Sequence, residues 1–398
     1  MKIFKRNKYW VSLTVLMLTL PLLVLSSGCM GVPASGGSGI LISGDRLFVV
    51  SVDGTLHMRN ANTGVRIWSV KLQREVTGGA SCSLLSSCAP GGSQQGVAVY
   101  DTPALSGDYI YVGGYDGRLR VYNWKDRVET PVAEYPAEKG KFTGAIVGDI
   151  LLDGGNIYFG SADGNIYCLN ADPQQMVLKW SYPTGNKVWA TPVVVDGVLY
   201  TTSFDHKIYA LDAADGSPVW DQPYETDGAI SAAPLIDNGT LYVGGFDRYM
   251  YALDAASGKL KWRTSATAEN WFWSTPLKHG NTIIAGNLDG KVYFFDAATG
   301  APTAVPVDLG APLTSRPLMD GDNAIFATQT GKVCAVDTIT FRAGWCYTEP
   351  VSDDTHLDAP VNIYNGILYV HTQEPDTIYT YEIATGMSYR APLPLSAE

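Results

Sequence analysis

KIYALDAADGSPVW occupies residues 207–220, and MYALDAASGKLKW follows at residues 250–262. Each stretch has an apolar run closed by an aspartate (Asp212, Asp254), then a glycine (Gly216, Gly258) and a tryptophan (Trp220, Trp262). Related runs stand at residues 165–172 (NIYCLNAD), 291–300 (KVYFFDAATG) and 332–345 (KVCAVDTITFRAGW). The closing residues Asn170, Asp212, Asp254, Asp296 and Asp337 are spaced 42, 42, 42 and 41 positions apart. The pattern extends back to Asn123 and Asn60 and forward to Glu382, with longer steps of 47, 63 and 45. One unit repeated eight times therefore accounts for most of the chain.

Each copy holds four short segments. A proline-marked apolar run opens it, as in ATPVVVDG at residues 190–197, and VLYTTSF at residues 198–204 shows the second. A tight turn follows, often Asp-Gly, as at Asp53-Gly54, Asp116-Gly117, Asp163-Gly164 and Asp289-Gly290. The YALDA-like run is third, and the fourth segment carries the tryptophan. β-branched and aromatic runs joined by Asp-Gly turns form antiparallel hairpins. Four strands at a period of about 40–45 residues make a propeller blade. The sequence thus predicts an all-β chain, a single eight-bladed β-propeller of four-stranded antiparallel blades. It covers residues 39–398, with a Gly/Ser-rich insertion near residues 74–97. Two modes of ring closure stay open: MSYRAPL at residues 387–393 completes the last blade alone, or the termini share a blade.

Composition narrows the function classes. The chain has 398 residues, 28 basic against 39 acidic, for a formal net charge of −11. Nucleic-acid binding needs a basic stripe that releases counterions, so no nucleic-acid partner is expected. The five histidines (57, 206, 279, 356, 371) are scattered, and no Cys-x-x-Cys pair is present, so no zinc or haem site is expected. No phosphate-binding glycine loop opens a helix and no nucleophile elbow occurs, so the sequence points away from an enzyme. A monomeric propeller is expected.

The N-terminus reads as an address. Lys2, Lys5, Arg6 and Lys8 precede an apolar run from Trp10 to Leu25, followed by Ser26-Ser27-Gly28-Cys29. A basic start, an apolar core too short to span a bilayer and small residues before a cut form a secretory signal over residues 1–28. Two outcomes follow: Cys29 carries a lipid, or cleavage after Gly28 releases a secreted protein. Residues 29–38 are small and read as a flexible tether. In an exported chain, disulfides are expected for Cys82 with Cys88, inside the insertion, and for Cys334 with Cys346, on adjacent strands. Cys168 aligns with Ala210 and Ala252 and reads as a buried thiol.

The spacing Ala210-x-Asp212-x-x-x-Gly216-x-x-x-Trp220, repeated at Ala252, Asp254, Gly258 and Trp262, resembles the tryptophan-docking repeat of PQQ-like propellers. That resemblance implies that the tryptophan packs between blades on a turn shaped by the Gly and Asp. Ala304 and Arg390 stand in the tryptophan position of two copies. Ser26-Ser27-Gly28-Cys29 is similar to a lipoprotein lipobox, with Ser26 where the family prefers Leu. Met30 replaces the Asp that marks inner-membrane retention. In length, lipobox and uninterrupted propeller the chain is similar to BamB-type outer-membrane assembly lipoproteins. This resemblance implies an extracytoplasmic, lipid-anchored scaffold with protein partners in the envelope and no cofactor, in the outer membrane if the organism has one. The alternatives are a PQQ-dependent oxidoreductase holding PQQ and calcium on the axis, and a peptide- or carbohydrate-binding surface protein. Quinoprotein enzymes often carry adjacent cysteines, absent here.

Propeller sites gather where the last strand of one blade leads into the next, together with the turns between second and third strands. Three residues before each entry proline stand Tyr100, Phe142, Trp189, Ser231, Trp273, Thr314 and Leu357, with Ala145 taken as the proline stand-in for the third blade. Trp271 adjoins Trp273, His206 and Arg248 replace the turn glycine, and Arg316 precedes an entry proline. Tyr100, Phe142, Trp189, His206, Arg248, Trp271, Trp273 and Arg316 are therefore the candidate ligand or partner face. Two readings stay open: an aromatic-lined axial surface that recognises a ligand, or rings that only pack the funnel wall.

Overall fold

A computed structural model describes residues 37–73, 96–138, 140–265, 268–347 and 360–395. Eight four-stranded sheets span residues 41–71, 104–135, 151–183, 193–225, 235–263, 277–308, 318–347 and 362–394, numbered here as blades 1–8. Every blade uses four strands consecutive in sequence, all antiparallel. The eight repeat-closing residues Asn60, Asn123, Asn170, Asp212, Asp254, Asp296, Asp337 and Glu382 each end a third strand. The expected eight-bladed propeller is the architecture found. Among the described residues the two ends share no blade, because blade 8 completes itself with Leu393–Pro394. Among the described residues one 3-10 turn, Pro173–Gln175, is the whole helical content, and no helix is long and apolar enough to cross a membrane.

The core lies in the seams between blades. One cluster joins Tyr200, Ile208 and Trp220 of blade 4 to Leu241, Val243 and Tyr251 of blade 5. The tryptophan motif fixes these seams. Trp180, Trp220 and Trp262 each donate the indole N–H to the carbonyl of Ala213, Ala255 or Ala297 in the next blade, at 3.2, 2.9 and 3.0 Å. Tyr158, Tyr200 and Tyr242 donate their hydroxyls to the same three carbonyls. The rings press on the neighbouring glycine turn. A Cβ on Gly258, whose φ is +69°, would lie 2.6 Å from the Trp220 ring. In blade 8, Arg390 takes the tryptophan's place and donates to Ala61 at 2.7 Å and Asn62 at 3.0 Å in blade 1. The ring closes through that seam.

Cys334 and Cys346 pair across adjacent strands of blade 7 as a disulfide, and Cys168 is free and buried. Cys29, Cys82 and Cys88 lie outside the described residues, as do the signal, most of the tether and the body of the insertion. A bridge between Gln73 and Gly96 closes the insertion's neck.

Candidate functional site at the axial funnel

The first strand of each blade is only three residues long, and the residues leading into it converge on the axis. Four positions before the first strand stand Gly37, Tyr100, Val147, Trp189, Ser231, Trp273 and Thr314 in blades 1–7, and all seven line one cavity of about 620 Å³. The sequence register holds for blades 2, 4, 5, 6 and 7. In blade 3 it fails. The first strand there is Leu151–Asp153, so Ile150 takes the proline's place and Val147, not Phe142, faces the cavity. Phe142 is 41% exposed on the surface, with the Arg118 guanidinium 5.1 Å from its ring. Leu357 lies outside the described residues.

A second ring comes from the turns between second and third strands. Tyr115, Phe204, Phe246, Leu288 and Gln329 each donate a backbone N–H to a carbonyl of the blade-entry loop, as Phe204 does to Lys187 at 2.9 Å. Tyr115, Leu288 and Gln329 line the cavity. The sequence reading missed this ring. Its signal is local, the residue before a turn aspartate in Tyr115-Asp116, Phe204-Asp205, Phe246-Asp247 and Leu288-Asp289. Those aspartates orient the turn. Asp205, Asp247 and Asp289 each accept the hydroxyl of the tyrosine four residues on.

The two rings build an aromatic wall over blades 4–6. Phe246 is stacked between Trp271 and Trp273, at 4.5 and 5.3 Å with interplanar angles of 8° and 15°. Phe204 meets Phe246 edge-on at 5.6 Å and Trp189 at 4.8 Å. Lys187 lies 5.1 Å from the Trp189 ring centre. Trp271 caps the stack and is 42% exposed. Tyr100 and Tyr115 form a separate edge-on pair at 5.5 Å on the blade 2 side.

Among the described lining residues the charged groups form one pair across the axis. Arg316 enters from blade 7 and Asp149 from blade 3, four blades apart in a ring of eight, and they meet at 3.7 Å. Asp149 is held in place by the Thr102 N–H at 2.7 Å, while its own N–H donates to Thr191 Oγ1 at 2.9 Å. Behind it Asp101 is fully buried. Burial first, and the Asp149 charge second, push its carboxyl well above the usual range. Its carboxylate accepts the Gly113 N–H at 3.1 Å.

His206 and Arg248 hold the left-handed backbone expected of turn glycines, each with φ of +72°. Their side chains are exposed and do not line the cavity. The structure therefore gathers Tyr100, Trp189, Trp273 and Arg316 into one funnel, sets Trp271 on its rim stack, and leaves Phe142, His206 and Arg248 outside its lining.

Two overlapping segments, residues 30–222 and 177–391, match a family model described as outer membrane protein assembly factor BamB. Among solved structures, the BamB from Moraxella catarrhalis superposes with a TM-score of 0.65 at 16% identity, covering 86% of this chain and 92% of that one. A computationally designed protein, Ika8, superposes with a TM-score of 0.67 at 15% identity, covering 88% and 97%. At such identities these structures share the fold. No curated protein sequence matches the chain.

Proposed function

Because the chain belongs to the family described as outer membrane protein assembly factor BamB, we propose that it is a non-catalytic scaffold of the cell envelope, acting in outer-membrane protein assembly. We place it outside the cytoplasm, held to the membrane by a lipid on Cys29, with envelope proteins as its partners. One observation carries the reading: the family match runs from residue 30 to residue 391 and so takes in seven whole blades and the first three strands of the eighth rather than an isolated motif. The Cys334–Cys346 disulfide supports an oxidising compartment.

The quinoprotein alternative asks for a calcium ion and an anionic quinone on the axis. Calcium takes six or more oxygen ligands, several of them carboxylates. Among the described residues the funnel lining offers one carboxylate, Asp149, already paired with Arg316. Among the described residues no group of three His, Cys, Asp or Glu could hold a metal. The described residues do not fit that cofactor.

The test is a mild-detergent affinity pull-down of the full-length protein from its native membranes, read by mass spectrometry, beside the Cys29→Ser variant. A near-stoichiometric barrel-assembly component is expected, and the variant should leave the membrane fraction. Recovery of the protein alone, or with only a redox carrier, overturns the scaffold role. Unchanged partitioning of Cys29→Ser overturns the lipid anchor.

A further inference from the structure

We infer that the axial funnel is a binding site for a short, uncharged carbohydrate chain. This goes beyond the scaffold role and does not depend on it. The first observation is the aromatic wall. Phe246 fixes Trp271 and Trp273 in near-parallel planes, and Trp271 keeps almost half of its surface in solvent. An aromatic face carries the negative side of the ring quadrupole. The C–H face of a pyranose presents the weakly positive hydrogens that complement it. The stack is preorganised, so little rotamer freedom is lost when a ring lies against it.

The polar lining is the second observation. Thr191, Ser231, Thr275, Thr314, Asn270 and Gln329 surround the cavity with short hydroxyls and planar amides. These are neutral groups, each able to donate and to accept. They come from four blades, 4 to 7, and so surround a ligand from more than one side, as hydroxyls radiating from a sugar ring require.

Charge and size complete the argument. Among the described residues the charged lining groups are Asp149 and Arg316, which pair with each other and leave that part of the lining neutral. A cavity of about 620 Å³ lies within the roughly 300–1,000 Å³ of small-ligand clefts. The same pair spans opposite blades, so the occupant must be short.

The experiment is a tryptophan-fluorescence titration of the full-length protein with maltotriose, cellotriose and triacetylchitotriose, each to about 10 mM. A capped neutral tripeptide, acetyl-Thr-Tyr-Val-amide, serves as comparison. Saturable change with at least one trisaccharide is expected, weakened about tenfold or more in Trp271→Ala. Trp271 is exposed, so that variant keeps the fold, and an unchanged melting curve verifies it. Trp273→Leu, read by calorimetry, provides a second variant whose signal does not rest on the indole removed. No response to any of the three sugars overturns the inference. So does a response that both variants leave intact, or one confined to the tripeptide. The pull-down outcome has no bearing on this titration, so the two readings fail separately.

Discussion

His57 shows how a single buried base couples this fold to pH. It sits in the third strand of blade 1 at 4% exposure, with Nε2 3.3 Å from the Ser51 hydroxyl. Burial, and then the positive charge of Arg59, hold its imidazole down at about 4 from an ordinary 6.5. Below pH 6.5 the unfolded chain takes up a proton that the folded chain refuses until about pH 4. Folding stability therefore falls as pH drops through that window, by up to about 3 kcal/mol from this residue. His57→Gln should flatten the decline in urea midpoint between pH 7 and pH 4; a slope equal to the parent's would assign the decline to other groups. At this scale the sequence was legible wherever a proline fixed the register. Tyr100, Trp189 and Trp273 line the cavity at the register that Pro103, Pro192 and Pro276 mark in the sequence. Phe142 was misplaced because blade 3 enters on Ile150, which carries no such mark. The Arg316–Asp149 contact was not legible, since its partners are 167 positions apart in the chain and meet only once the ring is closed.

Between single residues and the ring stand the blades and their seams, and the seams are unequal. Those following blades 3, 4 and 5 have both a tryptophan and a tyrosine donating to one alanine carbonyl. After blade 1, Phe48 stands in the tyrosine position and the Trp68 indole N–H has no partner among the described residues. After blade 6 the two places hold Ile284 and Ala304, and His279 instead reaches the Thr338 hydroxyl at 2.7 Å. Trp220→Ala should cost about 3–5 kcal/mol through the cavity it leaves. Gly258→Ala should cost about 1–2 kcal/mol from the left-handed backbone alone, and more because its methyl meets the Trp220 ring. Combining the two should cost less than their sum, because removing the indole frees space for the methyl. Denaturant titration of the double-mutant cycle measures this, and strict additivity would deny the contact its weight. The repeat was readable because third strands end on Asp or Asn in seven of eight blades, and five of these closing residues, Asn170 to Asp337, are spaced 41 or 42 positions apart. The outer strands were not. In blades 4 and 6, Pro218 and Pro302 lack the N–H that would continue the ladder, leaving an isolated bridge and a strand of two residues.

Over the whole molecule, stability depends on joining blade 8 to blade 1 without a shared strand. Side chains do this. Tyr369 donates to the Ala61 carbonyl at 3.0 Å, Asn362 to Ile40 at 2.9 Å, and His371 faces the Ser38 carbonyl at 2.8 Å. Arg390 adds bonds to Ala61 and Asn62. Arg390→Ala should destabilise by about 1–3 kcal/mol, as expected for charge-assisted bonds, one of them part-buried. Amide exchange should rise first at Arg46–Val50 and Ile367–Thr372; a uniform rise over all blades would show that this seam is no weaker than the rest. Eight-fold closure was legible in the repeat count, but the manner of closure was not, because MSYRAPL fits either mode until the pairing of Thr377–Glu382 with Leu393–Pro394 is seen. Self-contained blades have a consequence for descent. The order of blades is cyclic, so a gene opened between any two of them and rejoined across the present seam encodes the same ring. Duplicating one repeat inserts a whole blade and widens the bore. Such a fold can change its calibre by copying, while each of its parts goes on folding by the same local rules.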